Sequence, residues 1–167
     1  YTGIDLDYSQ SDVKFASKAR QKGYEFQEGD SWGDLFHRIF ITAIEPNLPS
    51  ETPAFVIDYP VQLPSLARAT PEDPRYVERF ELYIGGLELA NAFTELNDPV
   101  EQRKRFETDL LIKKDTEGYT GGVDEAFLLA LESGMPPSGG IALGLDRLMM
   151  LFSDVTTLDS IIMFRNH

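Results

Sequence analysis

Cysteine is absent from this 167-residue chain, and histidine occurs only twice. Without cysteine the chain can form no disulfide, no thiol nucleophile and no Cys-ligated zinc site. The two histidines, His37 and His167, lie far apart in the sequence, which argues against a metal site built on histidine. His37 fits an ordinary position in a helix. The sequence therefore directs attention to carboxylates and arginines as the groups that carry chemistry.

Long apolar runs and positive charge are also scarce. No stretch approaches the roughly 18 apolar residues of a membrane-spanning helix, and no signal-peptide pattern opens the chain. Lysine and arginine number 15 against 28 acidic residues, so the net charge is −13, which offers no broad footprint for nucleic acid. We expect a cytoplasmic protein without a membrane segment. Five basic residues form either a modest basic patch or the solvated face of a helix: Arg103, Lys104, Arg105, Lys113 and Lys114.

What the chain does contain is enough apolar residues, 42%, to build a sizeable core. Periodicity, cap residues and turn residues predict a mixed α+β fold, in which an antiparallel sheet is flanked by helices. The predicted elements are a helix over 11–22, a helix from the N-cap Ser31 to Pro46, a strand over 54–59, a hairpin over 76–95, a helix starting at Asp98 and Pro99, a helix over 123–134, a glycine-rich strand running into a helix over 139–152, and a last strand over 159–164.

The hairpin carries glutamates at a spacing of seven, at positions 81, 88 and 95. If Gly85–Gly86 form a two-residue turn, Glu81 and Glu88 share one face of the sheet and lie diagonally close. Two carboxylates this close repel each other unless a cation lies between them or one takes a proton, and Mg²⁺ is the natural partner. The alternative is an acidic strand edge that faces solvent and prevents aggregation.

In a regular strand, three further residues of this hairpin would project from the face opposite to that of Glu81 and Glu88: Asn91, Phe93 and Glu95. They can reach the same pocket only if the strand contains a bulge or ends near residues 89–92, since side chains alternate between the faces of a strand. A regular ladder through 88–95 would place Glu95 on the wrong face.

The segment "SGGIALGLDR" places glycines before a helix and Arg147 in the first helical turn. Glycine allows a ligand to approach the backbone, a helix start favours anions, and the arginine offers a planar fork for phosphate. The Gly-Lys-Ser/Thr ending of a P-loop is missing. The alternative is a structural ion pair between Arg147 and Asp146 or another carboxylate.

Both segments resemble class II aminoacyl-tRNA synthetases of the lysine type. "RFELYIGGLELANAFTELNDPVEQRKRF" at 79–106 is similar to a lysyl-tRNA synthetase stretch, and "GMPPSGGIALGLDRLMMLF" at 134–152 resembles that family's motif 3. The similarity spans roughly residues 50–167. It implies a ligase that forms an aminoacyl-adenylate from ATP with Mg²⁺.

The resemblance also implies roles for single residues. Glu81 and Glu88 match carboxylates that hold Mg²⁺ and ATP, and Arg147 matches the arginine that contacts the ATP phosphates during catalysis. Gly144 falls in both the ATP-binding and the amino-acid-binding sets.

On the amino-acid side, Asn91 matches a contact to the substrate carboxylate and Phe93 matches a wall of the pocket. Glu95 matches the acid that receives the ε-ammonium of lysine. Ala142 stands where the tRNA enzyme usually carries glycine.

The family contains a paralogue that attaches (R)-β-lysine to a lysine of translation elongation factor P. Ala142, the segment "LPSLARATPEDPRYVERFE" at 63–81 and the start "YTGIDL" resemble this paralogue. "YIGG" and "ELNDP" match the tRNA enzyme equally well. We therefore expect the elongation factor P ligase, with lysyl-tRNA synthetase acting on tRNA-Lys as the alternative.

Motifs 1 and 2 of the family find no counterpart in the chain, which begins at Tyr1 without methionine. We expect residues 1–167 to be the C-terminal portion of a catalytic domain, inactive alone, from a full-length protein that is a homodimer. A non-catalytic module that binds an amino acid or a nucleotide is the remaining alternative.

Overall fold

The computed structural model describes residues 1–6, 11–25, 27, 29–63, 65–118 and 120–163. Its helices and strands are α1 (Asp12–Gln21), α2 (Trp32–Ile39), β1 (Ala54–Pro60), β2 (Tyr76–Ile84), β3 (Leu87–Thr94), α3 (Pro99–Glu117), α4 (Glu125–Glu132), β4 (Gly139–Leu143) and α5 (Leu145–Ser153). The strands form one antiparallel sheet in the order β1-β2-β3-β4, with flanking helices. The predicted mixed α+β fold is confirmed.

The first two helices begin at serines, as the sequence predicted. The Ser11 hydroxyl accepts a hydrogen bond from the Lys14 amide at 3.4 Å. At α2, the Ser31 hydroxyl accepts from the Asp34 amide at 3.2 Å, and the Asp34 carboxylate accepts from the Ser31 amide at 2.9 Å. This reciprocal capping box satisfies amides that would otherwise have no partner in the first turn.

The end of α2 differs from the prediction. We expected the helix to run to Pro46, but α-helical hydrogen bonding stops at Ile39. A π-helical turn over Phe40–Ile44 and a 3-10 turn over Glu45–Asn47 follow, and the 3-10 turn includes Pro46. Proline is tolerated there because the first amides of a helical turn need no partner within it.

The hairpin between β2 and β3 turns at Gly85–Gly86, as predicted. Both glycines have positive φ, +61° and +74°. A hairpin turn of type I′ needs positive φ at both central positions, and glycine adopts it most readily. The turn therefore sets the starting register of the two strands that carry Glu81 and Glu88.

Helix α3 starts at its predicted cap and is anchored by an arginine. The Asp98 carboxylate accepts hydrogen bonds from amides of the first turn. Arg105 pairs with Glu101 at 3.0 Å, which confirms the predicted pair one turn apart. The same guanidinium donates to the carbonyls of Ser65 and Ala67, at 2.9 and 2.8 Å. Arg105 thus ties α3 to the preceding loop rather than standing free on a basic face.

The predicted last strand over 159–164 is wrong for the described residues. Leu158–Ser160 form a 3-10 turn, and residues 161–163 follow without strand pairing. The apolar run "IIMF" has the composition of a strand, but composition supplies no pairing partner. Residue 164 lies outside the described residues.

The chain divides into two compact units. The first contains residues 1–56, 82–90 and 144–167, and the second contains residues 57–81 and 91–143. Buried apolar residues of the first unit include Phe15, Trp32, Leu35, Ile39, Phe40, Tyr83, Leu89 and Met150. Those of the second include Tyr59, Leu63, Val77, Ala92, Leu96, Leu128 and Leu131. In the described part of the chain, no helix is long and apolar enough to cross a membrane.

Candidate functional site

The carboxylate of Glu81 lies buried in the second unit and is held by several donors. Its residue is only 8% exposed. The Tyr59 hydroxyl donates to Oε2 at 2.5 Å, and the Arg79 guanidinium donates to Oε1 at 2.7 Å. The Asn91 amide nitrogen lies 3.4 Å from Oε1. A buried carboxylate needs such partners, because an unpaired charge away from water is costly.

The side chain of Asn91 reaches the Glu81 carboxylate, although regular strand pairing would place it on the opposite face of the sheet. A ladder continuing regularly from Gly85–Gly86 would place Asn91 opposite Phe80, on the other face. Asn91 instead bonds both Arg79 and Glu81, so the alternation shifts by one residue between the turn and position 91. This shift is the irregularity that the sequence required if Asn91 was to reach the Glu81 face.

Glu88 and Arg147 form a pair within the first unit. One terminal nitrogen of Arg147 donates to the Glu88 backbone carbonyl at 2.7 Å and to its carboxylate at 3.3 Å. The two side chains are 49% and 34% exposed. Exposed ion pairs contribute little to stability, so this pair can be exchanged for other partners at small cost. The alternative of an ion pair for Arg147 is thus correct, with Glu88 rather than Asp146 as partner.

The glycines before α5 differ in whether their surroundings would accommodate a side chain. The Gly144 amide donates to the Leu89 carbonyl at 2.8 Å, and Gly144 has an ordinary φ of −76°. A Cβ at Gly144 would make only ordinary contacts, at 3.5 Å or more. At Gly140, by contrast, a Cβ would overlap the carboxylate of Glu95. A side chain at Gly140 would therefore displace the carboxylate of Glu95 from its present position.

Glu95 lies in the second unit with its carboxylate against Gly140. Its backbone amide donates to the Ser138 carbonyl at 2.9 Å, and Glu95 bridges Ala67 in antiparallel fashion. The residue is half-buried. Within the residues that the structure describes, no donor is paired with its carboxylate. A half-buried carboxylate with open acceptor positions is suited to receive an ammonium group.

An open cleft of about 610 Å³ lies in the second unit. Phe93 lines it together with Phe80, Ile57 and Ile141, and Arg79 borders it. Phe93 thus occupies the wall of a cleft, as its predicted role requires. Ala142 lies exposed on β4. Another cleft of about 470 Å³ runs beside α3 and contains none of the predicted site residues.

The carboxylates present fit Mg²⁺ by their chemistry. Among the described residues, no group of three or more His, Cys, Asp or Glu side chains is arranged to hold a metal. Mg²⁺ does not require such a cage, because it commonly binds one or two carboxylates and keeps water and phosphate oxygens as its other ligands. The exposed carboxylate of Glu88 offers such an oxygen.

Sequence reasoning missed three residues of this region. Arg79 and Tyr59 are the partners of Glu81, and the guanidinium of Arg79 lies 4.4 Å from the centre of the Tyr59 ring. Asp58, in β1, has a φ of +57°, a conformation that aspartate tolerates better than most residues. The position of Arg79 two residues before Glu81, on the same strand face, was the one available signal.

Comparison with known proteins gives a family match over almost the whole chain. Residues 9–167 match the family model described as tRNA synthetases class II (D, K and N). A lysine–tRNA ligase of Carboxydothermus hydrogenoformans is 41% identical over 98% of this chain and 33% of that protein. A lysine–tRNA ligase of Staphylococcus haemolyticus is 40% identical over 98% of this chain and 32% of that protein. The chain therefore spans about a third of the length of these curated relatives.

Proposed function

Because the chain belongs to the class II tRNA synthetases of the D, K and N group, we propose that the protein containing it activates lysine with ATP and transfers it to tRNA-Lys. The observation that carries this proposal is the half-buried carboxylate of Glu95, which has open acceptor positions beside Gly140. The names of the relatives, lysine–tRNA ligase, support both the amino acid and the acceptor.

Recognition of lysine requires groups for both ends of the amino acid. The ε-ammonium pairs with Glu95, and the aliphatic stem packs on the ring of Phe93. The Asn91 amide donates to the substrate carboxylate. A site built around a carboxylate rejects amino acids without a terminal cation, since the buried charge would then lack a partner.

Adenylation joins the lysine carboxylate to ATP. A carboxylate oxygen attacks the α-phosphorus, the bond from that phosphorus to the bridging oxygen of the β-phosphate breaks, and pyrophosphate leaves with the electron pair. The protein contributes positioning and charge neutralisation rather than a covalent intermediate. Arg147 exchanges the carboxylate of Glu88 for a phosphate, which offers its guanidinium a better-matched partner.

Glu81 and Glu88 are the residues that we propose as ligands of Mg²⁺. A bound ion would supply neutralisation of the phosphate charge. The two carboxylates differ in their existing surroundings. Glu81 already accepts hydrogen bonds from Tyr59 and Arg79, while the side chain of Glu88 is one-third exposed.

Transfer of (R)-β-lysine to a lysine of elongation factor P is the second candidate. Its support is the resemblance of Ala142 and of the segment at 63–81 to that paralogue; in the structure Ala142 is exposed on β4 and does not line the cleft beside Phe93. The names of the matched relatives give this acceptor no support, so we rank it behind tRNA-Lys.

Amino-acid-dependent exchange of pyrophosphate into ATP tests the proposal. The full-length protein is assayed with α-lysine and with (R)-β-lysine in parallel, and then with tRNA-Lys or elongation factor P as acceptor. We expect exchange with α-lysine and charging of the tRNA. Preference for the β isomer with transfer to elongation factor P would replace the first candidate by the second. Absence of pyrophosphate exchange with both amino acids would favour a non-catalytic binding module.

A further inference from the structure

Arg79 makes three contacts in the second unit that no predicted role accounts for. Its Nε donates to the Asn91 side-chain oxygen at 3.2 Å, and a terminal nitrogen donates to Glu81 at 2.7 Å. Its guanidinium also lies over the ring of Tyr59. The side chains of Arg79 and Glu81 are only 13% and 11% exposed. A buried arginine with three different partners has little rotational freedom.

The contact to Asn91 determines which way its amide faces. A side-chain amide has one acceptor oxygen and one donor nitrogen, and its hydrogen-bond network selects between the two orientations. Because Arg79 can only donate, it holds the Asn91 oxygen toward itself. Glu81 can only accept, so it favours the nitrogen on its own side. Both neighbours therefore select the same orientation.

This orientation matters because a substrate carboxylate is also an acceptor. The Asn91 nitrogen has two hydrogens, and the long 3.4 Å contact to Glu81 leaves donor capacity for a substrate. In the opposite orientation the amide oxygen would face the substrate carboxylate, and two acceptors would repel each other. Correct amide polarity is thus a condition for binding the carboxylate end of an amino acid.

We propose that Arg79 is a positioning residue that sets the polarity of the Asn91 amide and so determines recognition of the substrate carboxylate. This inference rests on the proposed function, because it takes an amino acid as the ligand of Asn91. Arg79 itself touches neither substrate nor metal in this assignment. It acts through Asn91, while Tyr59 and Glu81 keep its guanidinium in place.

Lysine at position 79 is the informative substitution. It keeps the positive charge, but an ammonium is a point charge on a flexible stem and cannot bridge two acceptors in a fixed plane. Arg79→Lys should therefore keep Glu81 paired and release the orientation of Asn91. A purely structural role for Arg79 would leave lysine-specific binding unchanged once the protein is folded.

The test compares lysine with cadaverine, which is lysine without its carboxylate. The full-length protein is assayed for lysine-dependent pyrophosphate exchange, giving a KM for lysine and an inhibition constant for cadaverine. We expect Arg79→Lys to raise the lysine KM by about tenfold, as loss of a hydrogen bond to a charged group does, and the cadaverine constant by less than about twofold. Equal increases for both ligands, or none for either, would overturn the inference.

Asn91→Ala supplies a second test that does not depend on one variant. In that background Arg79→Lys should add little to the lysine KM, because the amide it orients is gone. A further tenfold rise there would show that Arg79 does not act through Asn91. If unmodified protein shows no lysine-dependent exchange, the proposed function fails first and this inference falls with it. If the unmodified protein is active but Arg79→Lys changes the lysine KM and the cadaverine constant equally, or changes neither, the inference is overturned and the proposed function stands.

Arg75→Lys is the matched control. Arg75 also pairs with a carboxylate, Asp73 at 2.5 Å, and its guanidinium lies 5.8 Å from the centre of the Tyr76 ring. It lies in the turn before β2, and its side chain is 43% exposed. This variant should keep both the lysine KM and the cadaverine constant of the unmodified protein.

Discussion

Two glutamates seven residues apart, Glu81 and Glu88, have different environments. Glu81 is buried and bonded by Tyr59 and Arg79, so its carboxylate is fixed before any ligand arrives. Glu88 is one-third exposed and has Arg147 as an exchangeable partner. A carboxylate that is already fixed can position a ligand without rearranging. A carboxylate with an exchangeable partner can change that partner when a ligand binds. The pair thus combines one rigid and one adaptable carboxylate.

Gly140→Ala should impair lysine binding, because the new methyl group would overlap the Glu95 carboxylate and displace it. We expect the lysine KM of the full-length protein to rise by about tenfold or more, as when a buried charged contact is lost. Pyrophosphate exchange at varied lysine concentration measures it. Gly139→Ala is the neighbouring comparison, since its methyl would meet only the Phe93 carbonyl at 3.9 Å and should have a much smaller effect. Similar KM values for both variants would contradict this prediction.

Helix α2 shows how a local signal organises one element. The capping box of Ser31 and Asp34 starts it, and its first residue, Trp32, is buried at 4% exposure. The Trp32 ring stacks between Phe15 and Phe36, with ring centres 4.7 and 5.3 Å apart. The cap thus fixes the start of the helix at the residue that packs α2 against α1.

Ser31→Ala should destabilise the first unit by about 1 kcal/mol, the usual cost of losing a helix N-cap. Unfolding of this chain in urea, followed by the fluorescence of Trp32, its one tryptophan, measures the effect. Ser31→Thr retains the hydroxyl and serves as the control. A midpoint for Ser31→Ala equal to that of the unmodified chain would show that the cap contributes nothing.

The same cap gives stability a dependence on pH. Hydrogen bonds from the Ser31 hydroxyl, and then from its backbone amide, lower the pKa of Asp34 below its ordinary value of 3.8. Since the folded-state pKa is the lower one, the unfolded chain binds the proton more readily. The contribution is therefore present above the ordinary pKa and is lost as pH falls through the folded-state pKa. Asp34→Asn should flatten this part of the curve of unfolding midpoint against pH, and an unchanged slope would contradict it.

On the scale of the molecule, the charge balance and the supply of cations set what this chain can do alone. The net charge is −13, and Arg147 is the arginine assigned here to the phosphates of ATP. Arg103 and Arg105, part of the basic cluster on α3, are paired with Glu125 and Glu101. Arg105 also donates to the carbonyls of Ser65 and Ala67, so this part of the cluster is neither a free basic patch nor a solvated face. Neutralisation of a triphosphate therefore depends on few groups of this chain.

We predict that residues 1–167 alone do not form lysyl-adenylate, because one exposed arginine in a strongly acidic chain cannot stabilise the charge that develops on ATP. Pyrophosphate exchange with the isolated chain should remain at background under conditions in which the full-length protein is active. Addition of Mg²⁺ should not restore it. Robust turnover by the isolated chain would refute the prediction.

Local signals in the sequence were sufficient for most elements, and they supplied the residues that we propose for the site. Ser31, Asp98 and Gly85–Gly86 act on backbone groups within a few residues of themselves, so caps and turn followed directly from residue type. The seven-residue spacing of the glutamates and the position of Arg147 indicated phosphate and metal chemistry. The need for a bulge before Asn91 also followed, because parity in a strand is a local property.

Only the tertiary structure decided the environment of each group. Tyr59 reaches Glu81 across 22 positions, and Glu95, just after β3, lies against Gly140 of β4. Such contacts depend on which strands become neighbours, which residue type alone does not determine. The same holds for the tail, where an apolar composition without a pairing partner gave a 3-10 turn at Leu158–Ser160 instead of a strand. Contacts with residues distant in the sequence give Asn91, Glu81 and Glu88 their hydrogen-bond partners and their burial, because the path of the whole chain decides which groups become neighbours.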